Sequence, residues 1–95
     1  MGLLTAEQLQ SELSALPLWR HIGKAIEREL KFRTFADAMR FVNQVAELAE
    51  NANHHPDIDI RYTTVQLSLT SHDSGGLTQR DIRLAKRIEQ LLGED

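Results

Sequence analysis

The chain predicts a small α+β domain, on three observations. A long amphipathic helical pattern opens at Thr34, two alternating strand-like runs follow Pro56, and a second capped helical pattern starts at Thr78. Its 95 residues make one domain, able to bury roughly 60–65% of its unfolded surface.

In chain order, Thr5-Ala6-Glu7-Gln8 has capping-box spacing, with Thr5 as N-cap and Gln8 placed to reach back. Leu9, Leu13 and Leu16 form one stripe of a short packing helix that ends before Pro17. Residues 19–32 carry conflicting signals. Ile26, Leu30 and Phe32 alternate with Glu27, Glu29 and Lys31 as a half-buried strand does, but Arg28 interrupts that face. Ile22, Ile26 and Leu30 also line one side of a helix, and the residues between them favour helix. Gly23-Lys24 offers the turn of a hairpin. Local signals alone leave this segment open.

Thr34 and Asp37 repeat the capping spacing before the strongest helical pattern in the chain. Phe35, Ala38, Met39, Val42, Val45, Ala46 and Ala49 recur at three- and four-residue steps, and Phe41 and Leu48 form a second apolar line. A helix apolar along two lines predicts a second covering layer, such as another subunit. Pro56 disfavours helix in its predecessor, so this helix stops at or before His55. Ile58, Ile60 and Tyr62 then mark a strand. Val65, Leu67 and Leu69 form the apolar face of the next one. Thr64, Gln66, Ser68 and Thr70 make its uncharged polar face, and His72 falls on that side at the strand's end. Ser74-Gly75-Gly76 turns the chain, and Thr78 with Asp81 caps the last helix. There Ile82, Ala85, Ile88 and Leu92 are the expected buried stripe, and Arg80, Arg83, Lys86 and Arg87 the solvated side.

Composition narrows the function classes. A net charge of −3 gives no basic footprint for nucleic acid. Without cysteine there is no disulfide, thiolate metal site or thiol nucleophile. The apolar runs are far too short for a membrane span, and residues 1–5 have no basic, apolar leader pattern, so a cytoplasmic protein is expected.

The chemistry concentrates in Glu50-Asn51-Ala52-Asn53-His54-His55-Pro56 and in His72. Imidazole both takes and gives a proton near neutral pH, so several of them gathered at a turn suit general acid–base work. Glu50 lies one helical turn before His54, where carboxylate and imidazole share a face. Zinc is disfavoured, because adjacent side chains such as His54 and His55 point apart in an extended backbone. No Gly-x-Ser-x-Gly elbow supports a hydrolase. Gly75-Gly76 before a helix start is only a weak anion signal, which a turn explains.

The spacing Glu50, three residues, His54-His55-Pro56, five residues, Tyr62, nine residues, His72, eight residues, Asp81 resembles the signature of the pterin-4a-carbinolamine dehydratases. Trp19, the Phe32–Phe35 junction and the helix reaching Glu50 extend the resemblance over nearly the whole chain. Asn53 departs from it, since many relatives carry an acid there.

The resemblance implies an α-β-β-α-β-β-α order, a four-stranded antiparallel sheet with helices on one face, and residues 19–32 as two strands. It implies dehydration of a 4a-hydroxytetrahydropterin to quinonoid dihydropterin and water, which recycles the pterin of aromatic amino-acid hydroxylases. No metal or cofactor is then needed. By motif position, His54 and His72 are the acid and base, and His55 binds and orients the pterin. Glu50 counts with His55 among the substrate-binding residues and tunes His54, while Asn53 and Asp81 support the site, Asp81 having a sufficient role as a helix cap. A homodimer or homotetramer is expected. Relatives of this fold also serve as protein-binding modules, stabilising a transcription-factor dimer or assembling Rubisco, which is the alternative role.

Overall fold

The computed structural model describes residues 2–93, in the order α1 (Ala6–Leu13), β1 (Arg20–Ile22), β2 (Ala25–Lys31), α2 (Phe35–Ala52), β3 (Asp57–Arg61), β4 (Thr64–Leu69) and α3 (Gln79–Gly93). The strands form one antiparallel sheet in the order β1-β2-β4-β3. Ile26 and Leu30 of β2 and Val65, Leu67 and Leu69 of β4 point to one face. There they pack against Ala38, Phe41, Val42 and Val45 of α2 and Ile82, Leu84, Ala85 and Ile88 of α3. The α+β class and the element order are those the resemblance implies. Among the described residues, no helix is long and apolar enough to cross a membrane.

Residues 19–32 are two strands joined at Gly23, whose φ of 59° suits a residue without a Cβ. Long-range pairing decides what local propensity left open. Arg28 does not break the buried face of β2, because its Nε meets Glu89 Oε2 of α3 at 3.0 Å. Trp19 Nε1 donates to the same oxygen at 2.9 Å, so one carboxylate of α3 holds both arms of the hairpin at its open end.

The capping pairs work as the spacing predicts. Thr5 and Gln8 form a complete box at α1, and Thr34 Oγ1 accepts from Asp37 N at 3.0 Å at α2. Three details of the packing differ from expectation. On α2 the buried face is rotated: Phe41 is 2% exposed and Leu48 packs on the core, whereas Phe35 is 49% exposed and Ala46 is open to solvent. The supposed second apolar line is therefore covered within the chain and asks for no second subunit. On α3 Leu84 is buried, and Leu92 only partly.

Tyr62 leaves the strand. It sits in the two-residue turn joining β3 to β4, at a left-handed φ of 54°, and its ring stacks on Phe35 at a centroid distance of 6.5 Å. Arg61 pairs with Thr64 across this turn, so the strand alternation that sets Ile58 and Ile60 opposite Leu67 and Val65 stops one residue short of Tyr62.

Candidate active site

The site begins where α2 ends. Asn53 adopts the left-handed conformation (φ 50°, ψ 42°), which asparagine tolerates better than most residues. Its N–H donates to Glu50 O at 3.2 Å, and the N–H of His54 donates back to Ala49 O at 3.1 Å. These two bonds satisfy the last helical carbonyls and turn His54 under the helix end, where it is 8% exposed. The Asn53 that departs from the family pattern is thus the residue that terminates α2.

Beneath it lies Asp81, 0% exposed and in the first turn of α3. Asp81 Oδ1 faces His54 Nε2 at 2.5 Å. Asp81 Oδ2 accepts from Ser71 Oγ at 2.8 Å and from Thr78 N at 2.9 Å. Since the one proton of Ser71 is used on Asp81, the hydroxyl of Thr78 donates to Ser71 Oγ, 2.9 Å away. Burying a carboxylate is costly unless donors surround it, and here three donors converge on its two oxygens. The Thr78 bond is the expected cap. The His54 bond is an additional role for Asp81.

Glu50 pairs with His55 instead of His54. The one-turn relation between Glu50 and His54 requires helical backbone through residue 54, and α2 stops at Ala52. The expected tuning of His54 by Glu50 is corrected accordingly: Asp81 holds that imidazole. The Glu50–His55 pair is open to water, with side chains 76% and 55% exposed, so it orients His55 more than it stabilises the fold.

His72 begins a short 3₁₀ turn, His72–Ser74, beyond the end of β4. It is exposed and lines a hollow of about 360 Å³ with Lys24, Ala25, Thr70, Gly75 and Gly76. His54 lines a different one, of about 480 Å³, with Ala52, Leu84, Gln90 and the basic residues Arg80, Arg83, Lys86 and Arg87. The two imidazoles thus open on separate hollows, and Ser71, which precedes His72 in the chain, donates to the Asp81 that faces His54.

The basic residues lie on the solvated side of α3 as expected, Arg83, Lys86 and Arg87 exposed and Arg80 half-buried, and they also line the half-open hollow that His54 enters. Arg80 Nη2 meets Asp73 Oδ1 at 2.6 Å, which holds that carboxyl below the usual carboxylate range. Lys86 Nζ meets Glu12 Oε1 at 2.9 Å with the same effect on Glu12. Sequence reasoning did not see the hollow, because spacing reports the solvated face of one helix and not that Ala52 and His54 stand beside it. Among the described residues, no three His, Asp or Glu side chains are grouped as a metal site would need.

Replacing Asp81 by Ala would leave His54, Ser71 and the Thr78 N–H without their shared acceptor. The expected cost is roughly 2–4 kcal/mol of stability, read by urea denaturation. A loss below about 1 kcal/mol, smaller than a single buried unsatisfied group costs, would contradict this geometry.

The profile of the family described as Pterin 4 alpha carbinolamine dehydratase matches residues 2–91. A protein of Acidobacterium capsulatum, provisionally named a pterin-4-alpha-carbinolamine dehydratase, is 54% identical over 92 residues, covering 97% of this chain and 100% of its own. One of Mycolicibacterium smegmatis with the same provisional name is 42% identical, covering 99% of this chain and 100% of its own. Among solved structures, a transcriptional coactivator/pterin dehydratase from Brucella melitensis superposes with a TM-score of 0.89 at 33% identity, covering 94% of this chain and 97% of that one. A pterin dehydratase-like protein identified as a RuBisCO assembly factor in the alpha-carboxysome gives a TM-score of 0.69 at 27% identity, covering 79% of this chain and 89% of that one. With its profile matched nearly end to end, the chain belongs to the pterin-4-alpha-carbinolamine dehydratase family.

Proposed function

We propose that the protein dehydrates a 4a-hydroxytetrahydropterin to quinonoid dihydropterin and water, recycling the pterin used by an aromatic amino-acid hydroxylase. The observation that carries this reading is the buried His54–Asp81 couple at the wall of a cavity of about 480 Å³, a size suited to a small heterocycle. Family membership supports it.

The reaction needs one proton removed and one supplied. A base takes the proton of the ring nitrogen next to carbon 4a, the electron pair left on nitrogen expels the 4a-hydroxyl, and an acid protonates the hydroxyl as it leaves as water. His54 suits the base. With Nε2–H directed at Asp81, its Nδ1 accepts the proton, and the buried carboxylate stabilises the imidazolium that forms. His72 is the proposed acid by motif position; because it opens on the neighbouring hollow, its proton reaches the leaving hydroxyl through intervening water. His55, oriented by Glu50, binds the pterin, and Asn53 supports the site by turning His54 inward. No step draws on a metal or a cofactor.

We also propose a homo-oligomer, dimer or tetramer. The earlier argument from Phe41 and Leu48 is gone. What supports assembly now is the sheet face away from the helices, where Thr64, Gln66 and Ser68 of β4 carry no charge, and the exposed Phe35–Tyr62 stack. Sedimentation velocity at micromolar concentration should give at least a dimer, and a monomer would count against it.

The reading of the protein as an enzyme is tested with freshly generated carbinolamine, after the buffer reaction is subtracted. His54→Ala and His72→Ala should each lower turnover by roughly 10²-fold or more, with the fold retained. His55→Ala should chiefly raise KM, and His21→Ala, outside the site, should be near neutral. Turnover should also persist in the presence of a chelator. Full turnover in a folded His54→Ala, His72→Ala double variant would overturn the enzyme reading. It would favour a protein-binding role instead, like that of the structural neighbour identified as an assembly factor.

A further inference from the structure

The basic cavity beside His54 has a feature that dehydration of a neutral pterin does not require. Its lining holds four cationic residues, Arg80, Arg83, Lys86 and Arg87, and no carboxylate, in a chain whose net charge is −3. Two of these charges are already answered, Arg80 by Asp73 and Lys86 by Glu12. Arg83 and Arg87 have no acidic partner among the described residues. They stand one helical turn apart on the same side of α3, an arrangement that repels itself. Nor does the dipole of α3 explain the pair, because its field acts within the last turn and Arg83 lies well before the end at Gly93. Arg80 adds a buried Nε without a hydrogen-bond partner among the described residues.

From this we propose that the cavity takes a pterin whose side chain ends in a phosphate, with Arg83 and Arg87 binding the phosphate while the ring lies against His54. This inference rests on the dehydratase reading and names its substrate class. Two guanidinium groups one turn apart match the oxygens of a phosphate monoester, which accepts paired N–H bonds from each. A half-open hollow of about 480 Å³ shared with a proton-transfer residue favours a small anion over a polyanionic macromolecule, which would need a wider, continuous basic track. Ala52 and Leu84 supply the apolar contact that a flat ring needs between the histidine and the arginines.

Calorimetric titration of the full chain with 6-hydroxymethylpterin, its phosphate monoester and inorganic phosphate tests the proposal without relying on turnover. The ester should bind about tenfold more tightly than either of the others, or better, and high salt should shrink that preference. In Arg83→Gln/Arg87→Gln, and partially in each single variant, the preference should fall toward unity. Equal affinity for ester and neutral pterin would overturn the proposal, as would a preference retained in a folded double variant. Inorganic phosphate binding as tightly as the ester would overturn its pterin part. If neither pterin binds, this proposal falls, while the dehydratase reading is decided by carbinolamine turnover. An ester preference without carbinolamine turnover removes the dehydratase reading alone, and turnover without the preference removes this proposal alone.

Discussion

A carboxylate with no contact to water organises this molecule. Asp81 sits at the start of α3 with both oxygens engaged, and its partners come from three separated parts of the chain: His54 after α2, Ser71 after β4, and Thr78 at its own helix start. Satisfying that buried charge fixes the crossing of the two core helices at their functional end. The same bonds that make burial tolerable also orient an imidazole, so the fold and the candidate chemistry depend on one set of hydrogen bonds.

Much of this was legible from local pattern, and the reasons are physical. The capping pairs at Thr5, Thr34 and Thr78 and the alternation of Val65, Leu67 and Leu69 are decided within a few residues, so spacing alone reports them. Residues 19–32 are decided elsewhere: Arg28 is acceptable on a buried strand face only because Glu89, 61 residues on, receives it. Tyr62 was misplaced because a turn with positive φ interrupts an alternation that looks continuous in sequence. The rotated face of α2 has a related cause. Phe35 and Ala46 fit the stripe by spacing, but the sheet and α3 cover the side that carries Phe41.

At the site, residue types were readable and partnerships were not. The histidines, Glu50 and Asp81 all stood out, yet spacing paired Glu50 with His54 by assuming helix where Asn53 had already ended it. The His54–Asp81 contact spans 27 residues and carries no local signature beyond a cap that explains Asp81 on its own. The basic stripe of α3 is legible as a solvated face and is one, but that Ala52 and His54 complete a hollow beside it is a long-range fact that spacing does not carry.

The orientation of the His54 ring is the point on which site and fold both depend, and nitrogen-15 NMR of the imidazole reads it directly. Because Asp81 accepts at Nε2, the neutral ring should carry its proton on Nε2 and leave Nδ1 bare, and this preference should disappear in Asp81→Ala. A neutral His54 protonated on Nδ1, or a tautomer unchanged by loss of the carboxylate, would contradict the account.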